Sequence, residues 1–254
     1  MVEKWDITIP SLTGDETRKA YIYLPESYGE DEDKRYPVLY MFDGHNVFFD
    51  EDATYGKSWG MKDFMDFTET QMIIAAIECN THPDNSRLKE YSPFTFDDHH
   101  FGHVTGKGKK TMDYIVKVFK PYIDENYRTL PDRNNTFVGG SSMGGLMSLY
   151  ALIKYNKYFS AAASLSPSLW THPEKLMNMI KTAKLRKNTS IYMDYGSKEF
   201  ANHPYMQELF VTFTAILIEK GVYVNSRVVP NGTHSEGSWE KQVPFFISTL
   251  LYDK

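Results

Sequence analysis

Along the chain, short runs that are either wholly apolar or alternate between apolar and polar are separated by stretches in which apolar residues return every three or four positions. The short runs are KWDITI, RKAYIYLP, PVLYMFDG, QMIIAAIEC, NTFVGGS, SAAASLS, SIYMDYG and VYVNSRVV, and they read as strands. Helical periods fill 57–68, 111–126, 143–154, 173–181, 203–219 and 238–250, with Pro121 predicting a kink in the second. The first two strands, joined by the turn-like PSLTGDET, predict an antiparallel pair at one sheet edge. The remaining alternation of strands and helices predicts a mostly parallel sheet covered by helices on both faces, an α/β fold. No Pro-, Ser- or Gly-rich linker, repeat or low-complexity tract divides residues 1–254, which read as one domain.

The stretch TFVGGSSMGGLMSLY places two serines between glycine pairs, after a strand and before a helix. The pattern G-x-S-x-G is satisfied by Gly140, Ser142 and Gly144, whereas centring it on Ser141 would need a glycine where Met143 stands. Small neighbours let a serine occupy a tight, strained turn with its hydroxyl above the sheet, and the backbone N–H of Met143 then faces a developing oxyanion. Such a serine needs a base. His234, in VVPNGTHSEGSWEKQV, follows the last strand and precedes the last helix, where the chain order serine, acid, histidine places it. The acid is expected after the penultimate strand, in SIYMDYGSKEF. Glu199, beyond the strand end, is favoured to orient the imidazole, with Asp194, inside the strand, as the alternative.

Composition narrows the classes. A formal charge of -5 carries no basic excess for nucleic acid, and no segment is apolar and long enough to span a bilayer. The start MVEKWDITIP reads as a strand and not as a signal peptide, and the single cysteine, Cys79, suits a reducing, cytoplasmic setting as a buried thiol. The segment 80–110 is long, rich in His, Asp and Phe, and without helical period, the kind of loop that is often functional. By contrast, 166–189 has room for little more than one helix, so no large lid is expected and the site should be open.

The run YRTLPDRNNTFVGGSSMGGLMSLYALIKYNKYFSAAASLSPSLW resembles the esterase family of α/β-hydrolases that includes enterochelin esterases, feruloyl and acetylxylan esterases, S-formylglutathione hydrolases and mycolyltransferases. VLYMFDGHNVF, RLKEYSPF, YGSKE and GTHSEGSW extend the resemblance over nearly the whole chain. It implies an α/β-hydrolase fold and a cofactor-free serine carboxylesterase with Ser142 as nucleophile, Glu199 as acid and His234 as base. The second oxyanion amide then comes from the DGHN loop, at His45. Acetyl or feruloyl esters of saccharides are the implied substrates. A siderophore lactone, acyl transfer to an alcohol, and a non-catalytic binding protein that has kept the fold are the alternatives, and a homo-oligomer is left open.

Three further residues are candidates for substrate binding. Trp170, after SPSL, reads equally as core or as the wall of an acyl or sugar pocket. Arg87 and His103 lie on the long segment; Arg87 is expected to pair with Glu90 as an internal ion pair holding that loop. In DDHHFGH, 97–103, His99 and His103 have poor ligand spacing, so a solvated loop or substrate rim is expected there and no metal.

Overall fold

The wholly apolar runs become interior strands of one sheet, because a strand buried on both faces has no position for a polar side chain. The computed structural model describes residues 1–82, 84 and 86–252. In chain order the strands are β1 (Val2–Thr8), β2 (Thr17–Tyr23), β3 (Val38–Met41), β4 (Ile73–Ile77), β5 (Phe96–Asp98), β6 (Gly102–Val104), β7 (Thr136–Ser141), β8 (Ala161–Leu165), β9 (Ser190–Gly196) and β10 (Tyr223–Val229). Eight of them form the sheet β1-β2-β4-β3-β7-β8-β9-β10, while β5 and β6 pair with each other as a separate hairpin. β1 with β2 and β2 with β4 are antiparallel; every other pair in the large sheet is parallel. The two N-terminal runs therefore do form the expected antiparallel edge.

Alternate residues of one strand enter different cores. Val38 and Tyr40 join one apolar cluster, Leu39 and Met41 the other, as the period of two requires for a sheet covered on both faces. The helix Met143–Lys154 has the predicted bounds and is buried along almost its whole length. The expected helix at 57–68 is shorter, Met61–Phe67, because Gly60 before it takes a left-handed conformation (φ 58°). Around Pro121, helical structure runs from Gly108 to Asn126 with a π-helical stretch at Ile115–Phe119 that ends two residues before the proline. Proline lacks an N–H for the carbonyl four residues back, and a widened turn accommodates that loss.

The segment 80–110, of which Pro83 and Asn85 lie outside the described residues, is more ordered than its composition predicts. It carries the helix Ser86–Glu90 and the β5–β6 hairpin, and is closed at its base by Lys107 N–H to Lys89 O (2.8 Å) and Gly108 N–H to Ser92 O (2.8 Å). Between β8 and β9 lie only a 3-10 turn, Leu169–Thr171, and the helix Pro173–Thr182, which leaves no large lid. Among the described residues no helix is long and apolar enough to cross a membrane.

Candidate active site

The carboxyl ends of β3, β7, β9 and β10 converge on one edge of the sheet, and each contributes a turn. After β7, Ser142 sits at φ 57°, ψ −120°, a region a non-glycine residue occupies only when its surroundings hold it there. Those surroundings are tight. A methyl on Gly140 would lie 2.8 Å from the Gly144 backbone, and one on Gly145 2.6 Å from Leu165 O. Ser142 N–H donates to Leu165 O (2.9 Å), and Ser142 O accepts from Leu146 and Ser168 N–H (3.0 Å each). Ser141 is the last residue of the strand and is buried. The Ser142 hydroxyl is partly exposed; its partner is Ser168 Oγ at 3.5 Å, and no hydrogen bond joins it to His234. Among the described residues, neither the Met143 nor the His45 amide N–H has an acceptor.

His234 follows β10, and Glu199 lies in the first turn of the helix Ser197–Asn202 after β9. The two loops are drawn together by glycine: a methyl on Gly196 would fall 2.3 Å from the Gly232 backbone, so only two bare backbones can pass this closely. Lys198 N–H to Gly232 O (3.1 Å) and Asn231 N–H to Ser197 Oγ (2.9 Å) lock the contact. His234 Nδ1 then lies 2.6 Å from Glu199 Oε2. The other carboxylate oxygen accepts from Gly196 N–H (2.8 Å) and Ser166 Oγ–H (2.7 Å), and Ser166 Oγ in turn accepts from Trp239 Nε1–H (3.0 Å). Burial raises the pKa of Glu199, but the bonds from His234, Gly196 and Ser166 outweigh it and hold the carboxyl below its ordinary range. A carboxylate that stays ionised obliges Nδ1 to carry the proton, which leaves Nε2 as the free base.

Asp194 does not touch the imidazole. Its oxygens accept from Ser166 N–H (3.1 Å) and Tyr192 O–H (2.8 Å) inside the sheet, and burial pushes its pKa up to about 7.

After β3, Asp43 takes the left-handed conformation (φ 56°) and opens the 3-10 turn Gly44–Asn46, which carries His45. Arg87 does not pair with Glu90. Its Nε and Nη2 donate to the two oxygens of Asp43 (2.7 Å each), and Glu90 instead receives both prongs of Arg18 (2.9 Å each). Positions three apart on a helix are neighbours, but a buried carboxylate met by a guanidinium fork from another element is the stronger arrangement. His45 Nε2 lies 3.0 Å from Thr54 Oγ1, and its buried Nδ1 has no partner among the described residues. Asp43, His45 and Cys79 offer ligand-type atoms within 4.8 Å of one another, and both Asp43 oxygens already accept from Arg87. Burial and the Asp43 carboxylate push the Cys79 thiol well up.

Trp170 is half-buried two residues beyond Ser168, with Phe101 stacked on it (6.3 Å, 25°) and Phe96 edge-on (6.0 Å). His172, buried among Phe94 and Phe96, is driven by desolvation to a pKa of about 4 and is neutral. His103 is exposed and pairs across the hairpin with Asp97 (2.7 Å), with His99 and His100 in the connecting turn. Ser166, Ser168, Asp43, Gly232 and Trp239 were not singled out by sequence reasoning; only the Asn-Gly pair at 231–232 carries a local signal, a turn.

A mostly parallel sheet in this strand order, with a strained serine between strand and helix and a carboxylate–imidazole pair at the same edge, defines an α/β-hydrolase. The family model described as "Putative esterase" matches residues 11–246, and the chain belongs to that esterase family; it is a carboxylic ester hydrolase. A relative is the uncharacterized protein YbbA of Bacillus subtilis, 29% identical over 186 residues that cover 72% of this chain and 69% of YbbA. Among solved structures, an IroE-like serine hydrolase from Shewanella oneidensis aligns with a TM-score of 0.76 at 22% identity, over 98% of this chain and 79% of the other. The siderophore hydrolase EstA from Aspergillus nidulans aligns at 0.70 (17% identity, 98% and 95% covered). A ferulic acid esterase aligns at 0.63 (16% identity, 98% and 96% covered). At these identities the structures speak for the fold alone.

Proposed function

We propose that the chain hydrolyses carboxylic esters through an acyl-enzyme on Ser142. In this reading Ser142 Oγ adds to the ester carbonyl as His234 Nε2 takes its proton. The Met143 and His45 amides receive the oxyanion, and His234 returns the proton to the leaving alcohol. Water, deprotonated by the same imidazole, then releases the acid. The observation that carries the proposal is the 2.6 Å contact of Glu199 with His234, in a network that keeps Glu199 ionised, on the edge where Ser142 stands strained. No cofactor takes part in these steps.

For the substrate we propose an acyl or aryl ester of a small saccharide, acetyl or feruloyl, met in the cytoplasm, where a lone buried cysteine is at home. The half-buried Trp170 with Phe96 and Phe101 offers an apolar face on which a sugar or aryl ring stacks, and His103 lies on the same hairpin as its polar rim. A siderophore lactone is the second reading; the aligned EstA is named a siderophore hydrolase. The test is a panel of feruloylated and acetylated oligosaccharides, aryl acetates and a tris-catechol lactone, with acceptor alcohols added. Highest kcat/KM on the saccharide esters supports the first reading, preference for the lactone replaces it with the second, and alcohol-dependent product in place of acid makes the chain a transferase.

A further inference from the structure

We infer that Arg87 is a positioning residue for the reaction: its fork on Asp43 fixes the backbone that aims the His45 amide at the oxyanion. The inference rests on the reading of Ser142 as nucleophile and of the His45 amide as an oxyanion donor. It adds what holds that donor in place, and it changes Arg87 from a group that binds substrate to one that shapes the site.

Asp43 is a non-glycine residue in the left-handed region (φ 56°, ψ 50°), a conformation that persists where surrounding contacts hold it. Its carbonyl accepts the Asn46 N–H (2.8 Å), so the torsions of Asp43 set the direction of the turn and of the His45 N–H within it. Gly44 cannot help by shifting: a methyl there would meet Tyr21 and the Ile77 backbone at 2.9–3.0 Å, so the turn already lies flat on β2 and β4. What remains is the side chain. Asp43 is 5% exposed, both oxygens accept from Arg87, and its own N–H donates to Tyr91 O–H (3.2 Å). Arg87 lies over the Tyr91 ring (5.2 Å), and Tyr91 packs edge-on against Phe42 (5.1 Å).

The same ion pair reaches the nucleophile turn. A methyl on Gly144 would lie 3.1 Å from Asp43 Oδ2, so the carboxylate rests against the residue after Met143. The buried Asp43 carboxylate, held by the Arg87 fork, thus sits between the two backbone segments whose amides would receive the oxyanion. Only a planar guanidinium meets both oxygens of Asp43 at once; an ammonium would satisfy the charge and leave the carboxylate free to turn.

Arg87→Lys is the decisive variant. Misplacement of a catalytic group by about 1 Å can cost roughly 100-fold, and losing an oxyanion donor roughly 100- to 1,000-fold. We expect kcat on p-nitrophenyl acetate to fall about 10- to 100-fold with KM changed by less than about twofold, the pattern of an interaction made in the transition state. Binding of phenylboronic acid, which forms a tetrahedral adduct on the nucleophile, weakens in parallel. Because a buried Asp43 carboxylate with fewer hydrogen bonds destabilises the fold, Asp43→Asn/Arg87→Gln is measured beside it, and should melt near the parent temperature with the same kcat deficit. Raised KM at unchanged kcat, or undiminished boronate affinity, overturns the inference and returns Arg87 to substrate binding. Ser142→Ala separates the two levels: activity surviving there sinks the nucleophile reading. An inactive Ser142→Ala beside a fully active Arg87→Lys sinks this inference alone.

Discussion

Glu199→Gln changes one atom type at a point where the hydrogen bonds leave no freedom. Gly196 N–H is an obligate donor to Oε1, and Ser166 Oγ, which already accepts from Trp239 Nε1–H, must donate to the same oxygen. The glutamine carbonyl therefore takes the Oε1 position, and its NH2 faces His234 Nδ1 across 2.6 Å. Two N–H groups cannot face each other there, so Nδ1 has to become the acceptor and the neutral ring carries its proton on Nε2. That is the wrong tautomer for a base acting on Ser142. A comparable acid-to-amide change in a serine protease lowers turnover about 10,000-fold, or about 5.4 kcal/mol of transition-state stabilisation. The assay is steady-state release of p-nitrophenol by the purified variant, with circular dichroism to verify folding. Asp194→Asn is the control, since Asp194 accepts from Ser166 N–H and Tyr192 O–H and does not meet the imidazole; its loss should be far smaller. Retention of more than about a tenth of turnover by Glu199→Gln, or a larger loss in Asp194→Asn, would refute the reasoning.

Four further outcomes are expected. Ser142→Ala abolishes turnover and a serine-directed phosphonate labels Ser142, whereas Ser141→Ala, at the buried end of β7, keeps most of it; mass spectrometry of the labelled peptide decides. Activity survives EDTA, because every step is assigned to a side chain or amide; loss restored by zinc would reverse that. Burial raises Asp194 from 3.8 to about 7, so the stability that its protonated form lends below about pH 4 is lost as pH rises through about 7. The melting temperature of the parent should thus fall relative to Asp194→Asn between about pH 4.5 and pH 8, and parallel curves would disprove the shift. Trp170→Ala lowers kcat/KM for feruloylated sugars much more than for p-nitrophenyl acetate; equal losses would mark Trp170 as a purely structural residue.

Much of this arrangement is written locally in the chain. Short, wholly apolar runs such as MIIAAI suit strands covered on both faces, and Met143–Lys154 keeps helical spacing from end to end. The serine turn is local too, since Gly140, Ser142 and Gly144 stand within five residues and Gly140 lies directly against the Gly144 backbone. What was illegible depends on contacts far apart in sequence. The β5–β6 hairpin has three residues per strand, too few for an alternation to show, and is fixed by pairing Asp97 with His103 and by the packing of Phe96 on Trp170. The Arg87–Glu90 pairing failed for the same reason. Its spacing suits a helix face, but Asp43 and Arg18, 44 and 72 residues away from their partners, compete from buried positions where a guanidinium fork is worth more.

These long-range pairs give the segment 80–110 a role that its composition does not suggest. Its helix Ser86–Glu90 is held to β2 by Arg18 and grips Asp43 through Arg87, while its hairpin brings Phe96 and Phe101 against Trp170. One segment therefore supports both the loop that presents the His45 amide and the aromatic face proposed for the non-reacting part of the substrate. Contact made at the aromatic face would press on the same segment that holds the loop of the proposed oxyanion donor. Binding energy from a remote group can in that way be expressed as faster acylation and not merely as tighter binding. A short hairpin serves this purpose better than a large mobile lid, because the closing bonds of Lys107 and Gly108 to Lys89 and Ser92 tie the aromatic wall to the helix that carries Arg87.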